Sequence, residues 1–194
     1  YWCPFISNVA TVKAVINSCI GLNKYSDLFK PYIINCFGEF DEYIEEINNN
    51  KITIITLNSN KFIKKFPSQG FLFSRLKYIL IFSMSFFTLS KIIKKENPTF
   101  FIAHLITSLP MLLFKLNNYN TKLILRISGF PKLNYIRYYF WKFCSNKIYA
   151  ITSPTEGTKK DLKDSKLFLK NKIFLLEDPI LNIFDIYKKR KLKI

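Results

Sequence analysis

The sequence predicts an α/β protein built as a doubly wound, mostly parallel, Rossmann-like sheet in a single domain. Short apolar runs rich in β-branched residues recur along the chain between polar segments, a pattern typical of buried parallel strands. Helical patterns separate these runs, and such alternation favours a sheet covered on both faces. A chain of 194 residues at 49% hydrophobic composition can bury one substantial core.

Seven strands are expected, and each is bounded by turn-forming or polar residues. The first, Tyr1–Ile6, starts inside an apolar pattern without an initiator Met, so we expect residues upstream of it. The other six follow in chain order: Pro31–Gly38, Ile52–Leu57, Phe100–Ala103, Leu123–Ile127, Lys147–Ile151 and Ile173–Leu176.

Helical periodicity is expected between most of these strands. In the first helix, apolar residues recur on one face, and at the start of the last helix Thr155 is suited to be the N-cap. The predicted helices are Val9–Asn23, Ser74–Lys95, Thr107–Leu116, Leu133–Phe143 and Thr155–Leu162.

The chain is strongly basic, with 30 Lys and Arg against 13 Asp and Glu and a formal net charge of +17 at pH 7. Such a charge attracts nucleic acid and anionic membrane surfaces. Only four of the cations are Arg, whereas nucleic-acid readers favour Arg and cluster their cations along one helix or among aromatic residues. We therefore expect no specific nucleic acid partner. A non-catalytic basic module for nucleic acid or an anionic membrane surface is the alternative function.

The cysteine spacing and a search for targeting signals further restrict the class of protein. The four Cys residues are far apart, with no CxxC pair, so we expect buried, reduced thiols and no metal site. No secretory signal pattern is visible, and the longest apolar run, Tyr78–Leu89, is shorter than the roughly 20 residues that span a bilayer. A cytoplasmic location is expected.

Candidate site residues follow from the fold, because doubly wound sheets bind ligands at the carboxyl ends of their strands. After the first strand, Asn8 and Thr11 open a helix whose amides could hold an anionic or hydroxyl-rich ligand, although a plain helix start is the commoner interpretation. After the second strand, Glu39 could accept hydrogen bonds from sugar hydroxyls; the alternative is a solvated acidic loop.

Two later strands end near side chains of types that are rare in this chain, a histidine and an arginine. His104, the one histidine of the chain, follows the fourth strand and precedes Thr107 and Ser108; it is either a binding group or a structural one. The fifth strand leads through Arg126 to Ser128 and Gly129, where glycine permits a ligand to approach the backbone closely. The alternative is an ordinary turn in which Arg126 pairs with a carboxylate such as Glu39.

These residues also carry a family resemblance. The order of Ala103–Pro110 (AHLITSLP), Leu125–Leu133 (LRISGFPKL), Thr152–Thr155 (TSPT) and Leu176–Pro179 (LEDP) resembles the amino-terminal domain of bacterial family 4 glycosyltransferases that build lipopolysaccharide and other surface polysaccharides. The resemblance covers nearly the whole chain. Each motif taken alone has low specificity for the family, whereas the order and spacing of the motifs are more specific.

The resemblance implies the amino-terminal half of a two-domain glycosyltransferase fold. Residues 1–180 would form the acceptor-binding domain, and residues 181–194 a basic tail or the start of an interdomain linker. In that family the carboxyl-terminal domain binds the nucleotide-sugar through two glutamates spaced eight positions apart, and no Glu here has such a partner. The donor domain is therefore expected to be absent from this chain, which would be inactive alone.

The resemblance further implies transfer of a sugar from a nucleotide-sugar donor to a lipid-linked or saccharide acceptor, without metal or other cofactor. His104 would be the catalytic residue. The binding residues would be Asn8, Thr11, Glu39, Thr107, Ser108, Arg126, Ser128 and Gly129. Replacing His104 or Arg126 by Ala is expected to lower turnover while leaving the fold intact.

The long helix Ser74–Lys95 raises the question of membrane contact. Basic residues flank its apolar middle, so it could lie peripherally against the inner face of an anionic cytoplasmic membrane. Burial against the sheet explains the same apolar face equally well.

Overall fold

The structure is a computed structural model that describes residues 1–4, 10–57, 71–131, 133–179 and 190. Helices and strands alternate through this part of the chain, with short 3₁₀ turns before α2, β5 and β6. The elements are α1 (Ala10–Tyr25), β1 (Tyr32–Asn35), α2 (Ile44–Asn49), β2 (Thr53–Thr56), α3 (Phe71–Glu96), β3 (Phe100–His104), α4 (Ser108–Leu116), β4 (Lys122–Arg126), α5 (Tyr135–Cys144), β5 (Ile148–Ser153), α6 (Glu156–Asp164) and β6 (Ile173–Leu175).

All strand pairs are parallel, and the segment around Trp2 joins two groups of strands into one sheet. The Trp2 N–H donates to the carbonyl of Ile102 at 2.8 Å, and the Ile34 N–H donates to the carbonyl of Tyr1 at 2.9 Å. The order across the sheet is therefore β2, β1, the Trp2 segment, β3, β4, β5, β6. The doubly wound parallel sheet is confirmed, and its strand order reverses between the Trp2 segment and β3, which makes this the topological switch point.

Two apolar clusters cover the two faces of the sheet. Successive strand residues point to opposite faces, so Ile33 joins one cluster and Ile34 the other. The Ile33 cluster is supplied by α1 and α2, and the Ile34 cluster mainly by the helices α3 to α6. All four cysteines are buried in these layers as free thiols, and burial raises the pKa of Cys19 to about 12.

The structure shifts several expected element ends and adds one helix. The expected N-cap is confirmed, because the Thr155 hydroxyl oxygen accepts the Thr158 N–H at 3.2 Å. The six-residue helix α2 was missed, since it is too short to show a clear period and buries little beyond Ile47. The described part of the chain contains no helix with both the length and the apolarity that crossing a bilayer requires.

Candidate functional site

The carboxyl edge of the sheet brings His104 and Arg126 together. These residues are the last of β3 and β4, and they are register partners in the parallel ladder. Register partners point to the same face of a sheet, so the two side chains lie side by side next to the switch point. Their juxtaposition was not predicted as a pair, because strand adjacency cannot be deduced from the separate motifs.

His104 is buried without a hydrogen-bond partner at either ring nitrogen within the described residues, and its side chain is 2% exposed. Burial, with the nearby Arg126 charge as a smaller contribution, lowers the pKa of His104 to about 3. The imidazole is therefore neutral at physiological pH. Buried polar atoms are normally paired, so a histidine in this state at a ligand-binding edge is a candidate for binding a ligand.

Arg126 has a different environment from the expected one. Its Nε and Nη2 donate to Asp178 Oδ1 at 2.8 and 2.5 Å, and Nη2 also donates to the Leu176 carbonyl at 2.6 Å. Nη1 reaches the hydroxyl of Thr152 at 3.3 Å. Pairing of Arg126 with a carboxylate, which was the alternative to a binding role, is confirmed, but the carboxylate is Asp178 and not the suggested Glu39. The guanidinium thus ties β4 to β5 and to the segment that leaves β6.

Glu39 is bound by its own loop. Its carboxylate accepts the N–H groups of Cys36 and Phe37 at 2.8 and 2.7 Å. Burial outweighs these bonds and raises the pKa of Glu39 to about 7. The alternative of a solvated acidic loop holds for Asp41 and Glu42, which are exposed, whereas Glu39 is partly buried. Binding of sugar hydroxyls by Glu39 stays a prediction and would have to compete with two backbone bonds.

The loop after β1 is organised by Asn35, which sequence reasoning missed. Asn35 Oδ1 accepts the N–H of Gly38 at 3.0 Å, and its Nδ2 donates to Asp41 at 3.0 Å. Gly38 has a φ of 91°, a conformation that suits glycine. The Asn-x-x-Gly spacing of this turn was the available signal.

We predict that Asn35→Ala lowers the free energy of unfolding by about 2 kcal/mol, because it leaves buried donors of the loop unpaired. Urea unfolding followed by circular dichroism measures this loss. Asn118→Ala, which removes an exposed acceptor for Lys147, is the matched control and should cost less than about 0.5 kcal/mol. Equal losses in both variants would contradict the prediction.

The turn after β3 contains a strained residue that sequence reasoning also missed. Leu105 has a φ of 58°, which is costly for a residue with a branched side chain and is often found at functional sites. The Trp2 indole N–H donates to the carbonyl of Ile106 at 3.1 Å and holds the turn in position. Thr107 and Ser108 follow at the start of α4, where the Thr107 side chain makes no capping hydrogen bond.

Ser128 and Gly129 are exposed beyond the end of β4. Among the described glycines, a positive φ occurs at Gly38 and not at Gly129, so the backbone conformation at Gly129 does not itself require glycine. A Cβ added at Gly129 would meet nothing within 4 Å. Open space for a ligand is therefore present at this loop, and the binding role of both residues stays a prediction.

The remaining expected residues are less informative. Thr11 lies partly buried in the first turn of α1, and Asn8 lies outside the described residues. No group of three or more metal-ligating side chains occurs within the described part of the chain. A cavity of about 490 Å³ lies among Phe29, Tyr32 and Phe100, at the edge of the sheet opposite to His104.

The strand order and the carboxyl-edge groups define a Rossmann-like domain with its candidate site at a topological switch point. Among solved structures, the UDP-GlcNAc 2-epimerase from Neisseria meningitidis bound to UDP-GlcNAc is similar, with a TM-score of 0.62 and 13% identity over 94% of this chain and 48% of that one. A provisionally assigned UDP-N-acetylglucosamine 2-epimerase from Listeria monocytogenes is similar with a TM-score of 0.58 and 16% identity, over 85% and 42% of the two chains.

These similarities define the fold. The chain has a domain of the two-Rossmann-domain fold found in these nucleotide-sugar enzymes, and it spans less than half the length of either structure. No protein-family model matches the chain, and no curated protein matches it.

Proposed function

We propose that this domain is the acceptor-side half of a cytoplasmic glycosyltransferase of the family 4 type. The reaction is transfer of a sugar from a nucleoside diphosphate sugar to a hydroxyl of a lipid-linked or saccharide acceptor in bacterial surface polysaccharide synthesis. A donor-binding domain outside this chain completes the site. The observation that carries the proposal is the buried, neutral His104 beside the switch point, with both ring nitrogens unpaired among the described residues.

The chemistry of His104 suits positioning better than proton removal. A pKa of about 3 makes the imidazole a weak base, because efficient general bases have pKa values near the working pH. Its neutral ring can still accept a hydrogen bond from an acceptor hydroxyl and orient the oxygen for attack. The catalytic role predicted for His104 thus becomes a positioning role in this proposal.

The residues near His104 are of two kinds: some hold the strands together, and others could contact substrate at the carboxyl edge of the sheet. Arg126, which is buried, and Asp178, which is partly buried, form an ion pair that holds the β6 exit against β4, and four hydrogen bonds engage the guanidinium there. Ser128 and Gly129 remain exposed at the same edge, and Thr107 and Ser108 contribute hydroxyls at the start of α4. These four residues are the ones we assign to substrate contact.

Nucleotide-sugar epimerisation is the second candidate, because the similar solved structures are described as UDP-N-acetylglucosamine 2-epimerases. The two reactions differ in their products. An epimerase converts UDP-GlcNAc alone into its C2 epimer. A transferase attaches the sugar to a second molecule and releases the nucleoside diphosphate.

The test uses the protein expressed from its own gene, incubated with labelled nucleotide-sugars and with bacterial lipid-linked or saccharide acceptors. Labelled acceptor is the expected product, and His104→Phe, which keeps a ring packed near Tyr1 but cannot orient the acceptor hydroxyl, should lower turnover about tenfold or more. Thr121→Val is the matched control. It removes another buried, unpartnered polar atom, but at the amino end of β4, so transfer should be unchanged.

Two results would contradict the proposal. Formation of the C2 epimer without acceptor would favour the epimerase instead. Equal transfer by the His104→Phe variant and the unaltered protein would remove His104 from the site.

A further inference from the structure

Helix α5 presents an apolar face to solvent. Trp141 and Cys144 point into the core, which leaves the opposite side of the helix uncovered. We define the α5 face as Tyr135, Ile136, Tyr139 and Phe143, whose side chains are 77%, 79%, 50% and 55% exposed. Contiguous apolar surface of this kind marks an interaction site.

The rings of the α5 face are organised. Tyr135 and Tyr139 have their ring centroids 4.5 Å apart, and the ammonium of Lys115 lies 4.3 Å from the Phe143 ring centroid. Aromatic side chains with a polar end are favoured at membrane–water interfaces. The face is thus an aromatic surface with a cation held directly against it.

The segment that carries the α5 face has charged residues of one sign. Residues 97–155 contain no Asp or Glu and seven Lys or Arg. Lys142 is exposed on α5 itself, and Lys115 and Lys147 lie at the adjoining ends of α4 and α5, where they bond Asn146 and Asn118. Uniform positive charge beside exposed aromatic residues is complementary to an anionic lipid surface.

The same charge argues against a second copy of this chain as the occupant. Two identical faces would bring like charges together without a carboxylate from residues 97–155 to offset them, and like-charge juxtaposition opposes association. We propose that the α5 face is a peripheral docking surface for an anionic lipid bilayer, with the rings of Tyr135, Tyr139 and Phe143 at the headgroup level.

Docking through α5 would bring the candidate site to the membrane. The helix begins six residues after Gly129, so the open loop of Ser128 and Gly129 would face lipid-linked molecules at the bilayer surface. This consequence rests on the proposed function. The docking itself does not, because it is a binding property that remains testable in a protein without transfer activity. Membrane contact through α3 stays a separate prediction.

The experiment measures cosedimentation of the 194-residue chain with mixed phosphatidylglycerol and phosphatidylethanolamine vesicles, at about 0.15 M ionic strength. Binding is expected with these vesicles and should be at least about tenfold weaker with pure phosphatidylcholine vesicles. Ile136→Ser/Tyr139→Ser should reduce binding by roughly tenfold or more, and Lys142→Gln by roughly fivefold. Tyr25→Ser/Leu28→Ser, which removes a pair elsewhere that is at least as exposed, is the matched control and should bind normally.

Thermal unfolding of each variant shows whether it is folded before binding is compared. Three outcomes would overturn the proposal: equal binding to phosphatidylcholine, equal losses in the two double variants, or unchanged binding by Ile136→Ser/Tyr139→Ser. Concentration-dependent dimerisation without vesicles, abolished by Ile136→Ser/Tyr139→Ser, would also overturn it by making a second copy the occupant.

Discussion

Arg126→Ala is expected to lower the free energy of unfolding by about 2–3 kcal/mol, because it removes four hydrogen bonds and leaves the partly buried Asp178 carboxylate without its partner. Asp178 would lose both contacts from the guanidinium, and the carbonyl of Leu176 would lose its donor. The segment leaving β6 would then be held chiefly by the Leu176 N–H bond to Ser153 and by Asn17, which donates to the Pro179 carbonyl. Denaturant unfolding of the 194-residue chain measures the loss.

Controls separate the ion pair from the general effect of removing a cation. Lys160→Ala, at an exposed position of α6, should cost less than about 0.5 kcal/mol. Arg126→Lys should also destabilise, because one ammonium cannot reproduce the planar, branched contacts of a guanidinium. In the Arg126→Ala/Asp178→Ala cycle, a coupling energy near zero would contradict the structural role. The sequence-based expectation that Arg126→Ala leaves the fold intact is thereby replaced.

The strand ends that carry the candidate site could be predicted, because apolar runs show where strands stop. Both His104 and Arg126 were expected at carboxyl ends, and both are terminal residues of their strands. The partner of Arg126 could not be predicted in the same way. Asp178 is 52 residues away, and its proximity depends on β4, β5 and β6 lying next to one another in the sheet.

Local loop chemistry was predicted unevenly for a physical reason. The Thr155 cap joins residues that are only three positions apart, so it can be recognised in the sequence. The partial burial of Glu39 cannot, because it depends on how the loop after β1 folds back onto its own N–H groups. The positive φ of Leu105 could not be predicted, because a leucine side chain gives no sequence signal for that conformation.

Two titratable groups with shifted pKa values, the buried His104 and the partly buried Glu39, are expected to give the folding stability opposing pH dependences. The pKa of His104 falls from its ordinary 6.5 to about 3, so the stability contributed by the neutral ring is present above pH 6.5 and is lost as pH falls toward 3. The pKa of Glu39 rises from 4.5 to about 7. Its protonated form therefore favours the fold, and that contribution is present below pH 4.5 and lost as pH rises through 7.

Between pH 6.5 and 4.5 the two contributions to the free energy of unfolding change in opposite directions. Replacing one titratable group should therefore reveal the pH dependence caused by the other. Glu39→Gln removes the glutamate titration, and its free energy of unfolding should fall by about 2–3 kcal/mol as pH drops over this range. His104→Phe should instead gain about 2 kcal/mol over the same range, and the unaltered chain should change little. Urea unfolding at a series of pH values measures all three slopes. If the free energy of unfolding depends on pH in the same way in both variants, the pKa shifts that the structure indicates are contradicted. If the pH dependence is absent from Glu39→Gln alone, His104 is solvated; if it is absent from His104→Phe alone, Glu39 is solvated.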